Sequence, residues 1–168
     1  MEVFTLDALW KPFTYLDNCK NRYQMAIHHP EGDVLTHSLQ VMDWAFKETI
    51  NTDLILAALF HDIGKAVDTK GHDKVGADLL REHLSAKSVW LIEQHMRFWY
   101  LILGDMRKRS KVKELLEHPW LSDLCALARW DKLGRNPNRK VYYDKEQIIE
   151  RLNKCVDIHF EMNKKLNL

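Results

Sequence analysis

The sequence predicts an all-α protein, and three observations carry that prediction. Apolar residues recur at spacings of three and four over long stretches. Sustained apolar–polar alternation, the mark of a half-buried strand, occurs nowhere. Six glycines and four prolines in 168 residues leave few interruptions, so the segments between them are long. A chain of this length is expected to form one domain over residues 1–168, with a core that needs no disulfide.

The elements follow in order. Pro12 suits the first turn of a helix, which places a short first helix from there to near Asn21. A loop through HHPEGD at 28–33 ends on Asp33, a good N-cap for a helix from Val34 to about Ile50. Asn51 or Thr52 starts an apolar helix that ends at His61. IGKAVDTKG at 63–71 reads as a loop, followed by a helix from about Asp73 to His83. Ser85 caps the next, which runs to roughly Leu103, and Ser110 caps a short one that stops before Pro119. Pro119 opens another that carries WLSDLCALARWDKLGR, and NPNRK at 136–140 is a loop. Asp144, with Gln147 three residues on, resembles a capping box and begins a closing helix over about 144–166.

Composition bounds the function. Lys and Arg total 25 against 24 Asp and Glu, a net charge of +1, which excludes a protein that coats duplex DNA through a bulk positive field. Cys19, Cys125 and Cys155 are far apart and form no CxxC, as in a reducing compartment. No apolar run approaches the ~20 residues of a membrane helix. The opening MEVFTLDALW has no basic region ahead of an apolar stretch, so no signal peptide and no membrane partner are expected, and a cytoplasmic location is.

The apolar run 54–60 ends on His61 and Asp62, and ionisable groups at a core edge need a partner or a metal. Helical spacing supplies candidates. His37 aligns with Val34, Val41 and Ala45; His95 with Leu91, Ile92 and Trp99; Asp131 with Leu124, Leu127 and Ala128. His72 precedes Gly76 and Ala77, small enough to let another backbone come close. Four imidazoles and two carboxylates suit one or two divalent transition-metal ions, of the group Mn, Ni, Co, Fe or Zn. In a two-ion arrangement Asp62 bridges, His37, His61 and Asp131 complete one site, and His72 with His95 complete the other. His83, His118 and His159 are expected at the surface or as caps.

The order His37, His61-Asp62, Asp131 resembles the signature of the HD-domain superfamily of metal-dependent phosphohydrolases, and HDIGK at 61–65 is a common form of its central motif. The likeness is strongest to the HD domain of bacterial CCA-adding tRNA nucleotidyltransferases: HHPEGD at 28–33 leading to TH at 36–37, GHDKVGA at 71–77 and DKLGR at 131–135, a core of about 27–135. No glycine-rich strand–turn or paired-aspartate motif stands ahead of residue 28, so the resemblance does not extend to nucleotide addition. It implies an HD-type bundle of seven or eight helices and a hydrolase of the 2',3'-cyclic phosphodiesterase, nucleotidase or phosphatase kind, acting on a nucleotide or an RNA 3' end. Hydrolysis of nucleoside triphosphates or dinucleoside polyphosphates, an HD-type di-iron oxygenase, and a non-catalytic nucleotide-binding module are the alternatives it leaves.

Within that expectation metal ions activate a water that attacks phosphorus, with Asp62 central. Lys65 supplies charge to the phosphate, and Arg135, one turn beyond Asp131, grips an oxygen or pairs with a carboxylate. His28 or His29 protonates the leaving oxygen. Phe98, Trp99, Tyr100 and Trp130 are candidates to stack on a base, and the run Arg107-Lys108-Arg109-Ser110-Lys111 to steer a polyanion.

Overall fold

A computed structural model of the chain describes residues 3–166, and over them it contains eight α-helices and no strand. They are α1 Trp10–Asp17, α2 Val34–Glu48, α3 Thr52–Phe60, α4 His72–Leu80, α5 Ala86–Ile102, α6 Arg109–Leu116, α7 Leu121–Leu133 and α8 Lys145–Leu166, with a 3-10 turn at Ile63–Ala66. No helix among the described residues is long and apolar enough to cross a membrane.

Four starts follow from capping chemistry. The side chains of Asp33, Asn51 and Ser85 accept from the backbone N–H groups of Thr36, Leu54 and Ser88, and Asp144 accepts from Gln147. Each such cap contributes about 1 kcal/mol. Other boundaries differ from expectation. α1 starts at Trp10, so Pro12 sits in its first turn, where a missing N–H costs nothing, and the chain turns after Asp17 to reach Asn21 at φ 61°. α4 begins at His72 and ends at Leu80. α6 begins after Lys108, and Ser110 lies inside its first turn without capping it. The reason is the preceding loop: Asp105 and Met106 donate backbone N–H groups to Tyr100 O, which turns the chain into the helix early. Pro119 lies in the turn before α7 rather than opening it.

α3 is apolar all round and occupies the centre, with Leu54 through Phe60 all buried. It packs against α2, α5, α7 and α8, and α4 packs on α5 and on the 3-10 turn. His61 and Asp62 therefore emerge where the central helix ends, among α2, α4, α5 and α7, each of which supplies a side chain there.

Two glycines set those approaches. A Cβ on Gly64 would meet His72 O at 2.0 Å and Gly76 N at 2.8 Å, so the bare backbone of the 3-10 turn lies directly on the start of α4. A Cβ on Gly134 would meet Val41 Cγ2 at 2.5 Å, so the end of α7 lies on α2. The first contact brings Asp62 to His72, and the second brings Asp131 to His37.

Candidate metal centre

All six side chains named from helical spacing are buried and meet at one place. His37, His61, Asp62, His72, His95 and Asp131 are each at most 6% exposed. The four imidazoles share one arrangement. Nδ1 lies 3.0 Å from Gly134 O for His37, 3.0 Å from Ala58 O for His61, 3.0 Å from Thr69 O for His72 and 2.6 Å from Ile92 O for His95. A carbonyl only accepts, so Nδ1 carries the hydrogen and Nε2 is the atom left to offer a lone pair. This is how metal-ligating histidines are oriented.

The Nε2 atoms gather around Asp62, whose two oxygens divide them. Oδ2 faces His61 at 3.4 Å and His37 at 3.7 Å; Oδ1 faces His72 at 3.1 Å and His95 at 3.5 Å. Asp131 Oδ1 lies 3.1 Å from His37 Nε2. Yet Nε2 of His37 and of His61 make no aligned hydrogen bond, although both are buried. Buried polar atoms ordinarily find partners, and two imidazole nitrogens aimed together at carboxylate oxygens without bonding them fit a cation's donor set. Three groups each bring ligand atoms within 4.8 Å of one another: His37 with His61 and Asp62, Asp62 with His72 and His95, and, at the pocket mouth, His29 with Glu31 and His37.

The electrostatics follow from this crowding. Burial disfavours charge on Asp62 and Asp131, but the surrounding imidazoles outweigh it and hold both carboxyls well below the usual range. Burial also opposes charge on His37, yet Asp131 and Glu31 raise its pKa to about 9. For His61 burial prevails, and its pKa falls. A cation taking His37 Nε2 as a ligand would have to displace a proton from it below about pH 9. In metal-stripped protein, cation affinity is expected to rise with pH until about 9 and then level off, with protons released on binding. Calorimetry in buffers of different ionisation enthalpy reads both, and binding that ignores pH over this range would put the cation elsewhere.

Around the cluster a pocket of about 580 Å³ opens to solvent. Lys65 Nζ stands in it, donating to Asp62 Oδ2 at 2.6 Å and to Gln24 Oε1 at 2.7 Å. Arg135 pairs with Asp131 Oδ1 at 3.0 Å and also donates to His28 O. Trp99 lines the wall, its indole N–H donating to Asp131 Oδ2 at 3.0 Å. His28 and His29 line the mouth, His28 exposed and His29 half-buried.

Trp130 is the correction. It is 1% exposed and its indole N–H donates to Glu48 Oε2, so it is a core residue and does not face the pocket. Asp131 points at the cluster, and its chain neighbour is rotated by about 100° around the helix, into the core. Of the other aromatics, Phe98 packs on the core and Tyr100 is exposed on a different flank of α5.

Helical spacing missed Glu31. Its side chain is fully buried, with Oε1 2.9 Å from His29 Nδ1 and 2.7 Å from His37 Nδ1. Burial works against its charge, but those two contacts hold its pKa down at about 2. Glu31 therefore orients the proposed ligand His37 and fixes His29 at the mouth. The signal was an acid between two histidines and a capping aspartate in HHPEGD, but a loop has no period that shows which way a side chain points. The loop is closed at its neck by a bridge between Tyr23 and Asp33. Glu31→Gln keeps the shape and removes the charge; cation affinity is expected to fall tenfold to about a hundredfold, the usual effect of removing an outer-shell partner, while the thermal midpoint changes little.

A family model, the HD domain, matches residues 34–151. The chain is 37% identical over 62 residues to the multifunctional CCA protein of Halorhodospira halophila, a match covering 33% of this chain and 15% of that one. To the multifunctional CCA protein of Methylococcus capsulatus it is 38% identical over 80 residues, 44% of this chain and 19% of the relative. The one from Dechloromonas aromatica is 37% identical over 73 residues, 42% and 16% respectively. The matched segments thus span less than a fifth of those relatives' length.

Proposed function

This chain belongs to the HD-domain family of metal-dependent phosphohydrolases, and from that premise we propose that it hydrolyses a phosphoester of a nucleotide or of an RNA 3' end, as a 2',3'-cyclic phosphodiesterase, nucleotidase or phosphatase. The observation that carries the reading is the division of four Nε2 atoms between the two oxygens of Asp62. In this reading His37, His61, Asp62 and Asp131 hold one divalent cation, and Asp62, His72 and His95 hold a second. Cations there supply Lewis acidity to a phosphoryl oxygen and bring the pKa of water towards ~7.

The rest is the work of the chain's own groups. Lys65 turns from Asp62 towards a phosphoryl oxygen, a movement its flexible stem allows. Arg135 keeps Asp131 oriented through its ion pair and presents its remaining N–H groups at the pocket rim. His29, fixed through Nδ1 by Glu31, presents Nε2 at the mouth to protonate a leaving oxygen; exposed His28 serves there less well. Met25, Met96, Trp99 and Leu103 form an apolar wall that suits a base, facing the charged side of the same pocket. Its volume lies in the range of small-ligand pockets, enough for one nucleotide.

The test is phosphate or ester release from 2',3'-cyclic nucleotides, 2'- and 5'-monophosphates, deoxynucleoside triphosphates and dinucleoside polyphosphates, each with manganese, nickel, cobalt and magnesium. Turnover of cyclic nucleotides or monophosphates is expected. Lys65→Met is expected to lower kcat/KM about a hundredfold, the scale of one transition-state contact, with cation content unchanged. Failure across the whole panel, or a Lys65 variant as active as wild type, would contradict the reading.

A further inference from the structure

The charge of this chain is unevenly spread. Residues 105–114, DMRKRSKVKE, contain five Lys or Arg against two acids, in a chain whose net charge is only +1. The folded chain gathers further cations beside them. Lys74 from α4, Arg97 from α5, Arg107 and Lys108 from the connecting loop and Lys111 from α6 line one groove of about 540 Å³, with Glu93 and Asp105 as its only acids. Lys74, Arg107 and Lys108 make no ion pair among the described residues, whereas Lys111 is paired with Glu114 on the outer side of α6. Tyr100, 44% exposed, adds an aromatic face to the groove.

Its position matters as much as its charge. Met96 and Trp99 of α5 and Leu103 just beyond its end line the pocket, and Glu93, Gln94, Arg97 and Tyr100 of the same helix line the groove. The two depressions thus lie on neighbouring flanks of one helix, about 10 Å across.

We propose that this groove binds the phosphate backbone of a single-stranded nucleic acid, running away from an end placed in the pocket. Cations from several elements along an open groove, with an exposed aromatic ring, are the arrangement that tracks such a strand. A mononucleotide held in the pocket would not reach it. The inference rests on the proposed hydrolase reading and extends it, from one nucleotide to the strand that carries it.

The experiment compares wild type with Arg107→Glu/Lys108→Glu/Lys111→Glu and with the milder triple change to Gln. Two quantities are measured: affinity for an oligouridylate of about twelve nucleotides at several salt concentrations, and turnover of a 2',3'-cyclic mononucleotide. Wild type is expected to bind the strand with an affinity that falls as salt rises. Both variants should bind at least about tenfold more weakly, with a salt slope lower by about 2, three contacts at about 0.7 each. Mononucleotide turnover should be unchanged. Strand affinity that the variants retain would overturn the proposal, as would equal affinity for polyglutamate, which would mark an acidic protein partner. Strand binding together with no turnover of any substrate in the panel above would instead sink the hydrolase reading and leave the groove standing.

Discussion

Asp62→Asn is expected to lower phosphoester turnover by about a thousandfold or more while leaving the helical fold in place. Asn occupies the same space and keeps one acceptor oxygen, so packing at the end of α3 is preserved. What disappears is the charge shared between the two halves of the cluster: His37 and His61 on the Oδ2 side, His72 and His95 on the Oδ1 side. A cation at such a site contributes several kcal/mol of transition-state stabilisation, and each 1.36 kcal/mol is tenfold in rate. The checks are initial rates on the best substrate, with circular dichroism to show that the fold survives. Undiminished turnover would remove the mechanism.

Gly64→Ala is expected to be the most damaging of the small substitutions, because its methyl group has no direction in which to go. The atoms in its path are backbone, His72 O at 2.0 Å and Gly76 N at 2.8 Å, and backbone at the start of a helix cannot rotate aside. Overpacking of this kind costs about 3 kcal/mol, which in a domain of this size lowers Tm by about 10 °C. The effect reaches the site as well: separating the 3-10 turn from α4 carries His72 away from Asp62, so cation affinity falls together with stability. Thermal unfolding with and without manganese reads both. A stable variant with normal affinity would show that the close approach of these two segments is not what positions the ligands.

The site was legible in the sequence where its residues lie on helices. His37, His95 and Asp131 were found because each interrupts an apolar stripe at a spacing of three, four or seven; the structure gathers His37 and His95 with His61, Asp62 and His72, and brings Asp131 onto His37. Asp33, Asn51, Ser85 and Asp144 announced helix starts because a cap is a local bond between a side chain and an amide three residues on. Ser110 has the same chemistry but does not cap, since the turn at Tyr100 to Met106 had already directed the chain into the helix. Gly76 was readable as a close approach, whereas its partner Gly64 lies in a stretch that reads as a loop and folds as a 3-10 turn, where no pattern names the neighbour. Glu31 escaped for that reason too. Trp130 misled because adjacency to Asp131 in sequence means rotation by about 100° on a helix, which turns the ring into the core.

The most direct measurement is anomalous diffraction from crystals grown with manganese, recorded at the manganese edge. One or two peaks are expected among the Nε2 atoms of His37, His61, His72 and His95, within direct ligation distance of an imidazole nitrogen or a carboxylate oxygen. A cluster with no peak, or peaks bound only at surface carboxylates, would contradict this expectation.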